Sequence, residues 1–262
     1  MPKLAWDAPG TRYYEAGVDR GVLFVEGQPG VVWNGLTSVN ESPTGGDPKP
    51  FYIDGVKYLN RSSREEFEAT ITAFTYPVEF EVCDGSVQPR QGLFLTHQRR
   101  RSFGFSYRTM IGNDQSDNLG YKLHIVYNAL ASPTSRDHGT LTAQSEPSDF
   151  SWKITTKPPA MAGYRRTAHI VLDSRTTDPT VMSAVEDILY GTDEDLARIP
   201  SLEDLITIYD TVSTMVVTDN GDGTFTVEAP YDVIRMLDSE TFEITSNNAV
   251  FTSGTTYTLS SD

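Results

Sequence analysis

The chain has 262 residues, 38% of them hydrophobic, one cysteine and a formal net charge of -15. That length can bury a core without covalent staples, and a lone cysteine excludes an intrachain disulfide and a thiolate-built zinc site. The charge is uneven: residues 1–172 hold 18 Lys+Arg and 18 Asp+Glu, residues 173–262 hold 3 and 18, so the acidic last third repels phosphates and argues against a tight nucleic-acid grip.

In chain order, the N-terminal stretch MPKLAWDAPGTRYYEAG has no apolar segment of the kind a secretory signal needs, and nowhere do 18 apolar residues run together. Neither a leader nor a membrane span is expected, and a reduced, cytosolic site of synthesis is the simplest reading. Strands are predicted around 12–15, 21–26 and 31–36, separated by Gly17, Gly21, Gly27 and the Pro29–Gly30 pair. Residues 37–50 contain three prolines and two glycines and read as a long loop, a length that usually carries function or disorder. Asp54–Gly55 between two apolar runs is a two-residue hairpin signal.

A long strand is predicted from Glu66 onward, with Phe67, Ala69, Ile71 and Ala73 on one face, Glu66, Glu68, Thr70 and Thr72 on the other, and Pro77 as an interruption. The stretch HQRRRSFGFSYRTMIGND places Arg99, Arg100 and Arg101 before a strand in which Phe103, Phe105, Tyr107, Thr109 and Ile111 alternate with small or polar residues. A turn at 112–118 leads into another strand, with Tyr121, Leu123, Ile125 and Tyr127 opposing Lys122, His124 and Asn128. Strands follow at 150–156 and 166–172.

After Asp173 the texture changes. Pro179 in a first turn, an apolar stripe of Val181, Val185, Ile188 and Leu189, and Gly191 at the end spell a helix. A second helix starts at Ser201, with Leu202, Leu205, Ile206 and Tyr209 on one side. The Asn220–Gly221 and Asp222–Gly223 pairs mark a hairpin, YDVIRMLD reads as a short helix, and two or three strands close the chain.

No catalytic constellation emerges. His97, His124, His138 and His169 show no i,i+4 pair and no carboxylate at ligand spacing from two of them. They read as polar or semi-buried strand histidines, and no metal or cofactor is expected. Cys83 reads as a packed thiol. FGFSYR lacks the second glycine of a nucleophile elbow. An EF-hand starting at Asp219 would need glutamate where Pro230 stands, so DNGDG reads as a hairpin turn. The arginine run admits three readings: gatekeepers against strand-edge aggregation, an ionic seam within or between subunits, or a phosphate contact.

Several stretches, in order over roughly residues 11 to 245, resemble the major tail proteins of long-tailed, non-contractile actinobacteriophages. They are TRYYEAGVDRGVLF, VVWNGLTSVNESPTGG, YIDGVKYLN, EEFEATITAFTYPVEFEVCDG, FGFSYRTMIGND, GYKLHIVYNALASPTSRDHGTL and DNGDGTFTVEAPYDVIRMLD. The resemblance implies a mainly β fold with minor helices, a tail-tube-type β-sandwich or barrel with an acidic C-terminal helix-plus-strand elaboration. The tube domain is expected over 1–214, with the 37–50 loop and helices near 180–190 and 201–210. Residues 215–262 are expected to complete the same domain, because some 48 residues make a marginal core alone.

The resemblance further implies a non-enzymatic structural protein of the virion tail, assembled in the host cytoplasm. Copies would form rings, usually of six, that stack around a tape-measure protein. Tail terminator and tail-tip proteins would be partners, and DNA would pass without specific binding. Alternating strands with one polar face suit a wet tunnel, and ring closure would satisfy open edges. Expected self-assembly residues are Thr37, Asn40, Glu41, Pro43, Gly45, Gly46, Asp47 and Pro50, for ring stacking, together with Arg99, Arg100 and Arg101, meeting carboxylates across an interface. Glu66, Glu68, Glu79 and Glu81 are candidates to line the tunnel. The alternative is a carbohydrate-binding or adhesin β-sandwich of a virion or cell surface, with Trp6, Trp33 and Trp152 stacking on sugars.

Overall fold

The structure, a computed structural model, describes residues 6–136, 140, 149–160 and 164–212, and beyond them the backbone of five short strands. It is mainly β with two helices, as the sequence leads one to expect. Its sheets are open, and no barrel closes among the described residues. Two compact units are present. One comprises Met1–Thr177 with Glu186–Ile199, the other Asp178–Val185 with Pro200–Asp262.

The first unit is built on one sheet. Its strands are β1 (Tyr14–Val25), β2 (Val31–Trp33), β3 (Leu36–Glu41), β6 (Glu68–Ala73), β9 (Phe103–Gly112), β10 (Gly120–Ala131), β11 (Phe150–Thr156) and β12 (His169–Asp173). The spatial order is β2-β1-β9-β10-β11-β6-β3, all antiparallel. The long β10 divides its edge: Lys122–Val126 pair with β12, and Ala129–Ala131 pair with β11. The sheet coils far enough to bring β3 back into contact with β1, as the inherent twist of strands favours.

Inside the coil lies the main core, formed by Leu23, Trp33, Ala69, Ile71, Ala73, Phe80, Phe103, Phe105, Trp152 and Ile154 among others. The alternation read for Ala69, Ile71 and Ala73 holds, since all three are fully buried. The face of β9 read as small or polar is buried as well: Gly104 and Ser106 are covered, beside Leu123 and Ile125 of β10, which were read as apolar and are buried. The stretch Glu186–Ile199 packs on it. A side chain on Gly104 would meet Ile199 Cδ1 at 2.6 Å, so the small residues of that face admit a second layer.

Several segments differ from the sequence reading for physical reasons. Residues 12–15 and 21–26 are parts of one strand, β1, whose pairing with β9 shifts between Ala16 and Asp19 and again between Asp19 and Val22. Gly17 and Arg20 take positive φ there, and the Arg108 guanidinium clamps the Asp19 carboxylate with two 2.9 Å hydrogen bonds. The expected 37–50 loop is mostly strand. Leu36–Glu41 pairs with β6, and β4 (Pro48–Ile53) pairs with β5 (Val56–Ser62). Polar composition misled because β3 is an edge strand and β4–β5 is fully exposed. The turn itself is as read: Asp54 and Gly55 have φ of 51 and 78, the pattern of a tight hairpin.

Past Ala73 the predicted long strand ends, and Pro77 precedes a 3-10 helix, Val78–Val82, that carries Phe80 into the core. A second hairpin follows, β7 (Val87–Arg90) with β8 (Leu93–Leu95), which the sequence reading did not include.

The first helix, α1 (Pro179–Tyr190), starts at Asp178, whose side chain accepts from the Thr180 amide at 2.7 Å. Val181, Val185 and Leu189 of its stripe are buried. Gly191 ends it with φ 79, and a Cβ there would lie 2.9 Å from both Ala197 N and Asp195 O. Because those are backbone atoms that cannot swing away, Gly191→Ala is expected to destabilise the first unit by about 1–3 kcal/mol. Urea unfolding of the variant against the parent measures it.

In the second unit, α2 (Leu202–Val212) opens on a reciprocal cap. The Asp204 amide donates to Ser201 Oγ at 3.1 Å and the Ser201 amide donates to Asp204 Oδ2 at 2.8 Å. The strands β13 (Val216–Asp219), β14 (Thr224–Glu228) and β17 (Ala249–Thr252) form one small sheet, with β13 and β14 paired as expected. The DNGDG turn between them lies largely outside the described residues. The predicted short helix at YDVIRMLD is instead the strand β15 (Val233–Met236), paired with β16 (Phe242–Thr245). Cross-strand pairing decided a four-residue segment whose period is too short to read.

Candidate assembly surface

Among the described residues, the strands of the β4–β5 hairpin pair only with each other, apart from a Thr44–Glu66 bridge at the hairpin's base. All thirteen of its strand residues are exposed. Among them stand Phe51, Tyr52, Ile53, Val56, Tyr58 and Leu59, between 43% and 69% exposed. Phe51 lies opposite Leu59, and Ile53 opposite Val56. The β7–β8 hairpin repeats the pattern, with Val87, Leu93, Phe94 and Leu95 exposed. Isolated two-stranded ribbons are marginal in water, and apolar side chains gathered on one are a contact surface in search of a partner.

The expected assembly residues divide. Thr37, Asn40, Pro43, Gly45, Asp47 and Pro50 are exposed along β3, the connection and the start of β4. Gly45, with φ 82, sits so tightly against the Arg64 carbonyl that a Cβ would collide, and the Gly46 amide donates to Ser63 Oγ at 3.1 Å. Glu41 turns toward the sheet: its Oε1 accepts from the buried Tyr107 hydroxyl at 2.7 Å, and burial first, then this contact, raise the phenol above its ordinary pKa.

The arginine run also divides. Arg100 is half-buried, donates to the Ala131 carbonyl at 2.9 Å and lies 3.5 Å from Asp84 in the same chain. Arg99 and Arg101 are exposed. Of the four glutamates expected to line a tunnel, Glu68 is held by Lys153 at 2.8 Å and by Thr44, while Glu66 is exposed beside it. Glu79 and Glu81 sit on the 3-10 helix, where Glu81 accepts from Tyr76 at 3.1 Å. They do not continue the row on β6.

Cys83 is a packed thiol, as expected. It is buried, and burial pushes its pKa up to about 12. The sugar-stacking set does not form: Trp33 and Trp152 are 2% and 1% exposed, and their rings pack edge-on 5.7 Å apart in the core. Trp6 alone of the three is exposed. Sequence reasoning missed the exposed apolar hairpin as a site, although FYIDGVKYLN carries both its turn and its apolar runs. It also missed that Glu41, His124 and His169 meet, which no spacing discloses.

No family model matches the chain, and no curated protein does. Among solved structures, it is similar to a chain of the PVC sheath–tube complex of an extracellular contractile injection system in the extended state. The identity is 16% over 64% of this chain and 93% of that one, with a TM-score of 0.28. It is also similar to a chain of the anti-feeding prophage baseplate (11%, 64% and 97%, TM-score 0.32) and to one of the cap that terminates the tube of that particle (11%, 66% and 96%, TM-score 0.30). Overlap at that level does not define a shared fold. No helix among the described residues is long and apolar enough to cross a membrane.

Proposed function

We propose that this chain is a structural subunit of a phage-type tail tube, acting by self-association into stacked rings. The observation that carries the reading is the β4–β5 hairpin, an unpaired ribbon with six large apolar side chains in water. A second copy is its occupant. The hairpin carries Lys49, Lys57 and Arg61 against one acidic residue, Asp54, whereas residues 173–262 hold 18 acidic residues against 3 basic ones, so a neighbouring copy offers the complementary charge. Among the described residues β2 and β3 stand at the two ends of the sheet order, margins that ring closure would satisfy. The ordered resemblance to actinobacteriophage major tail proteins supports the same reading and supplies its finer parts: six-membered rings, the tape-measure, terminator and tip partners, and DNA passage.

Sedimentation velocity over a range of concentrations tests self-association. Large, concentration-dependent species are expected, and a lone monomer at every concentration would exclude the proposal. Because Lys49, Lys57 and Arg61 are exposed, screening matters. Raising salt from about 0.05 to 0.5 M is expected to slow assembly by roughly tenfold or more, read by light scattering, whereas a salt-indifferent rate would remove charge from the interface.

A further inference from the structure

Three side chains far apart in sequence converge at the edge of the main core. Glu41 ends β3, His124 lies mid-way along β10, and His169 opens β12. His169 pairs with Val126, two residues from His124, so the imidazoles are diagonal neighbours on one face. His124 Nδ1 lies 3.1 Å from His169 Nε2 and 3.4 Å from Glu41 Oε1. One ligand atom from each residue lies within 4.8 Å of the others.

From these distances we infer that Glu41, His124 and His169 form a binding site for a divalent transition-metal ion, with zinc as the best match. Four ligands at zinc's bond lengths of about 2.0–2.2 Å stand roughly 3.3 Å from one another in a tetrahedron, close to the 3.1 and 3.4 Å separations here. Two imidazoles and a carboxylate suit zinc better than calcium or magnesium, which prefer all-oxygen shells. The fourth position falls to water, because Glu41 is exposed and opens the cluster to solvent.

The surroundings prepare the ligands. Thr109 donates its proton to Glu15, so its oxygen, 3.0 Å from His124 Nε2, accepts the imidazole proton. That leaves the His124 Nδ1 lone pair aimed at the cluster, the tautomer a ligand needs. Tyr107 stacks on His124 with centroids 4.5 Å apart and donates to Glu41, fixing both. Phe67 covers His169 at 4.3 Å. Burial disfavours the charged form of both histidines. On binding, the neutral His169 ring presents its Nε2 lone pair to the ion and carries its proton on Nδ1 instead. The ion would tie the edge strand β3 to the centre of the sheet.

The full chain, freed of metal with a chelator and dialysed, is titrated with ZnCl2 by calorimetry and with CoCl2 by visible absorption. One equivalent of zinc and the absorption of four-coordinate cobalt are expected. His124→Ala and His169→Ala should each weaken binding about 100-fold or more and Glu41→Gln about tenfold, whereas His97→Ala, outside the cluster, should leave it unchanged. Should a variant fail to fold, imidazole nitrogen shifts of the unmodified protein decide the matter. Zinc should move His124 Nδ1 and His169 Nε2. No zinc uptake, uptake that survives both histidine substitutions, or shifts confined to His97 and His138 would overturn the site.

Discussion

Replacing Tyr52 and Tyr58 by Asp together is expected to abolish assembly and leave the subunit folded. Both side chains are more than 60% exposed, so the folded monomer loses little, within about 0.5 kcal/mol per site. Buried against a second copy, each tyrosine becomes an aromatic anchor of the kind that dominates interfaces, worth about 2 kcal/mol or more. Introducing two carboxylates also sets like charge against the acidic third of the neighbour. A loss of at least about 3 kcal/mol per contact corresponds to roughly a hundredfold rise in the concentration needed for assembly. Pelleting assays and circular dichroism read the two halves of the statement. Normal assembly from the double variant would remove the hairpin from the interface, and a lost dichroism signal would mean the residues hold the subunit itself.

Trp33→Ala carries the largest expected effect on stability. Trp33 sits on β2, 2% exposed, with its ring against Phe80, Phe105 and Trp152 at 4.7, 5.4 and 5.7 Å. Its indole Nε1 donates to the Thr75 carbonyl at 3.0 Å. Removing that ring opens a cavity where the 3-10 helix, β9 and β11 meet, at a cost of about 3–5 kcal/mol. For a domain of this size that is a fall in Tm of about 10 °C. Trp33→Phe, which keeps most of the packing, should cost markedly less. Calorimetry separates the two, and equal losses would show that the hydrogen bond rather than the ring is what matters.

What could be read in the sequence follows from how local each signal is. Strands β9, β10 and β11 were legible because large apolar residues recur at every second position (Phe103, Phe105 and Tyr107; Leu123, Ile125 and Tyr127; Phe150, Trp152 and Ile154), and the Asp54–Gly55 turn because only a few residue pairs accept positive φ twice. The 37–50 segment was not, because β3 and β4 gain their order from partners in β6 and β5 and little from burial. The covering of Gly104 and Ser106 was hidden for a related reason: small residues look the same beneath a second layer as beneath water. The assembly surface was half legible. Composition pointed to 37–50, and the apolar hairpin lies immediately after it. The meeting of Glu41 with His124 and His169 depends on the coil of the whole sheet, which no local pattern encodes.

Under the proposed function, this chain works by joining copies of itself through its exposed ribbons and strand edges. Electron microscopy of the purified, concentrated full chain in negative stain tests it most directly. Hollow tubes of uniform width, built from stacked rings, are the expected result; a field of separate single subunits under conditions where the protein is folded and concentrated would contradict it.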